Sequence, residues 1–257
     1  MSMITAVTKV MTQRLSKLGY PTDDIRWSLS YCQGDGASFT GKLDLKLLGA
    51  RVLPDIDPAV WVDANLDLEL TRSGNYVHER STSLNYDFES ITGFDPEELG
   101  GVAQTYALGR LLAVIEEEIV TVGNEMAADG YKVIESYIRE DELKRTFHTK
   151  NFEVKVWAVS DEHSDCFDYY DDTCSEDMIS KLLAENIYFG GVKIEIIQTD
   201  DDGDEIATLA TLDMGGCEWL RSGSIFKCGV VRDLLREAVC DARDTFARLK
   251  RPTLKAA

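Results

Sequence analysis

The first residues that could do chemistry lie in the nonapeptide Tyr31-Cys-Gln-Gly-Asp-Gly-Ala-Ser-Phe39, where two glycines flank Asp35. Glycine tolerates a positive φ and leaves backbone N–H groups open to a ligand, and the side chains of Gln33 and Asp35 could add contacts. His78 and the apolar Leu84 are an even number of residues apart, so both would lie on the same face of a predicted strand. This position favours a buried, hydrogen-bonded histidine, and His78 is also a candidate for the ligand site. Gln33, Asp35 and His78 are therefore the candidate ligand-binding residues.

The other reactive side chains do not have the spacing of a catalytic or metal site. The turn Thr199-Asp-Asp-Asp-Gly-Asp204 lacks the EF-hand frame of alternating acids, a sixth glycine and a twelfth glutamate. His163 and Cys166 have H-x-x-C spacing, but structural zinc sites usually need a second pair. No histidine, including His78 and His148, lies in a catalytic motif, and no nucleotide-binding glycine motif occurs. We expect a protein that is not an enzyme and uses no metal or cofactor.

Residues 156–220 concentrate the negative charge, with 17 acids against two lysines, Lys181 and Lys193, in a chain of net charge −19. Aromatic residues such as Tyr188 and Trp219 lie among these acids. Acids steer an encounter and rings supply buried contact area, so this segment favours a protein-binding face. The predicted contact residues are Asp165, Asp168, Tyr169, Tyr170, Asp171, Asp172, Asp200, Asp201 and Asp202. Such charge disfavours direct binding to nucleic acid or anionic membranes, and it predicts a basic partner.

The elements predict an α+β fold whose first domain, residues 1–145, is an antiparallel four-stranded meander with covering helices. A helix over residues 4–18 is ended by Gly19 and Pro21. Period-2 alternation predicts strands over residues 25–32, 39–47, 60–70 and 78–88. A long helix begins at Asp95 and ends at Asp129-Gly130, with Leu99, Val102, Tyr106, Leu112, Ile115, Ile119 and Met126 on its apolar stripe. The charged residues 139–145 are predicted to form the domain boundary.

The second domain, residues 146–257, is predicted to be a smaller acidic α+β module of strand, helix, hairpin and helix. The strand covers residues 152–159, and Ser175 is the expected N-cap of the helix that follows. The hairpin pairs residues 192–198 with 205–212. The closing helix should bury Val231, Leu235, Ala238, Ala242, Phe246 and Leu249.

The chain has the features expected of a cytoplasmic protein. Its first twenty residues are too polar for a secretory leader, and no run of about 18 apolar residues could cross a membrane. The six cysteines are expected to be reduced thiols.

The nonapeptide is followed by Tyr76-Val-His-Glu79 and then by an acidic, helical segment. This arrangement resembles a group of small, uncharacterised phage and prophage proteins with a QGDGxSF … YxH pattern, over about residues 20–150. The resemblance implies an origin in a phage or another mobile element and brings no established activity. Residues 150–257 lie outside it and could have a different role.

Charge and resemblance together predict a binding protein that inhibits a host nucleic-acid-handling defence complex, of the anti-CRISPR or anti-restriction type. Its acidic surface would mimic phosphates and occupy a basic host protein in the host cytoplasm. One alternative is a small-molecule-binding protein or enzyme that uses the glycine turn and His78. Another is an antitoxin or a structural module of a homo-oligomer. A homodimer is compatible with each of these functions.

Overall fold

The structure is a computed structural model that describes residues 2–57, 68–74, 77, 81–85, 102–161, 163–164, 166–167 and 172–249. It has two compact units, Val7–Tyr131 and Lys132–Ala257 together with Met1–Ala6. The α+β fold class is confirmed, because each unit contains a four-stranded antiparallel sheet with helices. Among the described helices, none is both long and apolar enough to cross a membrane.

The first sheet is the predicted meander. Its elements are α1 (Ser2–Leu18), β1 (Asp24–Ser28), β2 (Gly36–Lys42), α2 (Leu45–Val52), β3 (Glu69–Arg72), β4 (Thr82–Asn85) and α3 (Val102–Ser136). The strands pair antiparallel in the order β1-β2-β3-β4. Residues 60–67, 78–80 and 86–88 of the two later predicted strands lie outside the described residues, as does the helix start at Asp95.

The prediction of one strand over residues 39–47 is wrong, because β2 ends at Lys42 and α2 begins at Leu45. Asp44 caps α2 by accepting hydrogen bonds from the backbone N–H groups of Lys46 and Leu47. The alternation of leucines predicts a strand, but the buried leucines of this segment, such as Leu45 and Leu48, follow the helical spacing instead.

The helix α3 continues to Ser136, so the predicted end at Asp129-Gly130 is wrong. Asp129 is buried and accepts a hydrogen bond from Arg14 Nε at 2.8 Å. A Cβ atom on Gly130 would lie 3.0 Å from Met11 Cε, so this glycine permits close packing inside a helix. The prediction that Tyr106 belongs to the buried stripe of this helix is also wrong, because its side chain is 66% exposed.

The second unit has one strand more than the sequence predicts. Its elements are β5 (Glu142–His148), β6 (Phe152–Val159), α4 (Asp172–Leu183), β7 (Ile187–Thr199), β8 (Glu205–Leu220), a 3-10 turn (Ile225–Lys227) and α5 (Gly229–Leu249). The strands pair antiparallel in the order β5-β6-β7-β8. The predicted division at residues 145 and 146 falls within β5, so the charged residues 142–145 belong to a sheet and not to a linker. Ser175 lies inside α4 and is not its cap.

One face of the second sheet packs against α5. Val156 of β6 and Ile194 of β7 belong to this core, with the buried residues Val231, Leu234, Ala238 and Ala242 of the helix. The prediction that Leu249 is buried is wrong, because that side chain is 64% exposed. A spacing of three and four residues places Leu234 on the buried stripe instead.

Candidate functional site

The glycine turn after β1 is organised around the carboxylate of Asp35. This carboxylate accepts hydrogen bonds from the N–H groups of Ser30 at 2.7 Å and Cys32 at 2.9 Å, from the Ser30 hydroxyl at 3.0 Å, and from the hydroxyl of Tyr131. The Tyr131 hydroxyl, followed by these backbone donors, holds the pKa of Asp35 well below its usual value. The carboxylate therefore supports the turn as an anion.

The structure describes two of the three candidate ligand residues of this turn, Gln33 and Asp35. Gln33 is exposed, Asp35 is engaged by the turn, and His78 lies outside the described residues. The ring of Tyr31 lies 4.5 Å from that of Tyr131, between ring centres. Tyr131 is a hydrogen-bond partner of Asp35 that the sequence pattern missed, because nothing near Tyr131 in the sequence points to the turn.

In the acidic hairpin turn between β7 and β8, one carboxylate shapes the turn and two others are exposed. Asp200 Oδ1 accepts hydrogen bonds from the N–H groups of Asp202 at 3.0 Å and Asp204 at 2.8 Å, so Asp200 shapes the turn. The side chains of Asp201 and Asp202 are exposed, and both are free of this task. Of the other predicted contact residues, Asp172 is the first residue of α4, and Asp165, Asp168, Tyr169, Tyr170 and Asp171 lie outside the described residues.

The second sheet carries a row of polar side chains on the face opposite α5. Trp157, Lys193 and Asp213 are cross-strand neighbours on β6, β7 and β8. Lys193 Nζ lies 5.1 Å from the centre of the Trp157 ring, and Trp157 Nε1 donates a 2.8 Å hydrogen bond to Glu195 Oε2. Because side chains of a strand alternate between faces, these residues point away from the core. We call this row, with Glu153, Lys155 and Glu205, the acidic face.

Carboxylates exceed lysines on the acidic face. Lys155 Nζ lies 3.2 Å from Glu153 and 2.6 Å from Glu205, and Lys193 Nζ lies 3.4 Å from Glu195. Each lysine is therefore held by its neighbours. Asp213 adds an exposed carboxylate, and Glu205 directly follows the hairpin turn that carries Asp201 and Asp202. The face has a net negative charge after its internal ion pairs are counted.

A polar pocket of about 390 Å³ adjoins the acidic face. Its lining includes Asp161, His163, Ser164 and Asp213. Asp161 accepts hydrogen bonds from the N–H groups of His163 and Ser164, both at 3.0 Å, and of Gly216 at 2.6 Å. Burial alone would raise the pKa of Asp161, but these hydrogen bonds outweigh burial and the pKa lies below its usual value.

Two glycine pairs, Gly190-Gly191 on β7 and Gly215-Gly216 on β8, meet at a bulge beside this pocket. A Cβ atom on Gly215 would collide with the Asp161 carboxylate, and one on Gly191 would lie 2.8 Å from Val159 Cγ2. Because glycine has no side chain, the loop that contains Asp161 can approach the sheet at these positions. The two glycine pairs lie just outside the two predicted strands of the hairpin, and they are the sequence signal that could have predicted this close approach.

The chemistry of the pocket does not include an activated thiol. Cys217 lies on β8 next to the second glycine pair. Burial, followed by the neighbouring Cys228, raises the pKa of the Cys217 thiol to about 12. Within the described residues, no group of three or more histidine, cysteine or acidic side chains is placed to hold a metal ion. The arrangement presents fixed negative charge, aromatic surface and hydrogen-bonding groups.

No protein-family model matches the chain, and no curated protein or solved structure is significantly similar to it.

Proposed function

We propose that the protein binds the basic, nucleic-acid-binding surface of another protein and blocks it. The acidic face carries this proposal, because its carboxylates exceed its lysines and it includes Trp157, an aromatic side chain suited to contact that donates a hydrogen bond to Glu195. The QGDGxSF … YxH pattern, by which about residues 20–150 resemble phage and prophage proteins, suggests that the partner is a host defence complex.

The distribution of the carboxylates supports a binding face that spans three strands. Glu153 lies on β6, Glu195 on β7, and Glu205 and Asp213 on β8. Neighbouring strands of a sheet lie about 4.8 Å apart, so the negative charge extends across the sheet. Internal ion pairs hold Glu153 and Glu195 in place before binding, which lowers the entropy that association must cost.

The glycine turn supports a small-molecule function less well. Its one carboxylate, Asp35, already accepts hydrogen bonds from Ser30, Cys32 and Tyr131. A ligand would have to displace donors that the turn itself requires.

The proposal is tested with two variants that change the net charge equally. The face variant replaces Asp201, Asp202 and Asp213 with lysine, and the control replaces Glu237, Asp241 and Asp244 of α5 with lysine. All six acids are exposed. DNA cleavage by purified restriction endonucleases and CRISPR effector complexes is measured against increasing protein, and association rates are measured at several salt concentrations.

We expect the wild-type protein to reach full inhibition at a stoichiometric ratio with at least one complex. The face variant should then associate about ten-fold or more slowly, and added salt should slow the wild type, since exposed charges are screened beyond about 8 Å. The control should behave as the wild type. Inhibition by none of the complexes, or an equal loss in both variants, would overturn the proposal.

A further inference from the structure

An apolar cavity of about 350 Å³ lies between the core face of the second sheet and α5. Phe152, Ile196 and Leu209 line it on the sheet side, and Val239 and Phe246 line it on the helix side. Protein interiors seldom leave spaces larger than a water molecule, and binding pockets for small molecules begin at about 300 Å³. The cavity is therefore large enough to hold a small ligand.

The walls of this cavity suit an extended apolar group. The rings of Phe152 and Phe246 meet edge to face with their centres 5.9 Å apart, and Ile196 and Leu209 are buried beside them. Thr149 at the rim uses its hydroxyl to donate a hydrogen bond to the carbonyl of Phe152. A polar ligand would lose its hydrogen bonds to water here without replacing them.

A single charged side chain, Arg243, lines the cavity among the described residues. Arg243 is exposed, and within the described part of the chain it makes neither an ion pair nor a hydrogen bond. Arg243 also lines a shallow groove along α5, so this exposed residue lies at the edge of the cavity. Guanidinium binds carboxylates with two parallel hydrogen bonds, which makes a carboxylate the matching head group.

We propose that this cavity binds a small carboxylate with an apolar tail, of the size of a medium-chain alkanoate. The tail lies in the cavity against the side chains of Phe152, Ile196 and Leu209, and the carboxylate pairs with Arg243 at the mouth. The site is separate from the acidic face and does not depend on the function proposed for it.

The test uses hexanoate, octanoate and decanoate, with octanol as the uncharged control, in calorimetric titrations of the full chain. Each methylene that enters the cavity should raise affinity about four-fold, so each step of two should raise it about fifteen-fold until the cavity is full. Octanoate should bind at least ten-fold more tightly than octanol. Alkanoates that bind no better than octanol, or that show no dependence on length, would overturn the proposal.

Two substitutions on α5 separate the head-group contact from general charge. Arg243→Gln should reduce octanoate affinity to that of octanol, whereas Arg232→Gln, an exposed arginine outside the cavity lining, should leave it unchanged. Val239→Phe should fill the cavity and abolish binding of all three alkanoates while thermal unfolding stays cooperative. Equal effects of the two arginine substitutions, or full binding by a folded Val239→Phe variant, would also overturn it.

Discussion

At the scale of single residues, Asp35 shows how a side chain that resembles a ligand site can serve the fold. Its carboxylate connects the Ser30 and Cys32 N–H groups of the turn with Tyr131, a residue of α3. The backbone needs this support, because Tyr31 has a φ of 60° and Gly34 a φ of 95°. A non-glycine residue at positive φ is strained, and the surrounding hydrogen bonds must hold it there.

The lowered pKa of Asp35 predicts a pH-dependent stability. A carboxyl whose pKa is lower in the folded than in the unfolded state stabilises the fold fully above its unfolded pKa of about 3.9. This contribution is lost as the pH falls through that value toward the folded pKa. Urea unfolding should therefore show Asp35→Asn less stable than wild type at neutral pH, with the difference shrinking below about pH 4.

Two further variants give this measurement its controls. Asp201→Asn, at an exposed turn position, should change the free energy of unfolding at neutral pH by no more than about 0.5 kcal/mol, and Tyr131→Phe should reproduce part of the Asp35→Asn loss. A difference between wild type and Asp35→Asn that is the same at about pH 3 and pH 7 would contradict the role assigned to the carboxylate.

At the scale of elements, the bulge between β7 and β8 joins the sheet to the Asp161 loop. Because the glycine pairs have no side chains where the loop comes closest, Asp161 can approach the sheet and accept a hydrogen bond from the N–H of Gly216 at 2.6 Å. The polar pocket depends on this approach, because Asp161, Gly191 and Gly215 all line it.

Gly215→Ala is expected to destabilise the protein by about 1–3 kcal/mol, because the new methyl group would collide with the Asp161 carboxylate. The matched control is Gly229→Ala at the start of α5, where a Cβ atom meets no atom within 4 Å. The control should change the free energy of unfolding by no more than about 0.5 kcal/mol. Denaturant unfolding of both variants measures this, and equal effects would mean that the glycine pair has no packing role.

The burial of α5 makes a second prediction at this scale. Leu234, which the sequence did not place on the buried stripe, is 4% exposed, whereas Leu249, which was predicted to be buried, is 64% exposed. Leu234→Ala should cost about 2–4 kcal/mol of unfolding free energy, and Leu249→Ala about 0.5 kcal/mol or less. Thermal and denaturant unfolding measure both losses. A larger loss for Leu249→Ala than for Leu234→Ala would contradict the assignment of the buried face of α5.

At the scale of the whole molecule, the two compact units divide within α3, between Tyr131 and Lys132. Each unit has its own four-stranded sheet and its own buried apolar residues. The strand β5 lies in the second unit, where it pairs with β6 along Glu142–His148.

A fragment of residues 132–257 should therefore unfold cooperatively, because it retains all four strands of the second sheet and α5. A fragment of residues 146–257 should be less stable, because it loses the part of β5 that includes Leu143 and Arg145. Circular dichroism during urea unfolding compares the two. Equal stabilities and slopes would restore the boundary predicted at residues 145 and 146.

The sequence predicted correctly those elements that depend on the pattern of residues close together in the chain. Alternation over residues 152–159 predicted β6, and the turn chemistry of residues 199–203 predicted the hairpin of β7 and β8. The same rules failed at residues 43–47, where alternating leucines form the start of a capped helix. Tertiary packing selected the helix, because Leu45 and Leu48 are buried together in it.

By itself, the sequence determined the excess of acids in residues 156–220, since charge depends on composition alone. Tertiary structure decided where that charge acts, because strand register places Lys193 beside Asp213 and Trp157 on one face. It also decided that Asp35 supports a turn, through a hydroxyl 96 positions away. Periodicity and capping report only on residues close in the chain, whereas these roles depend on contacts that form when distant segments pack together.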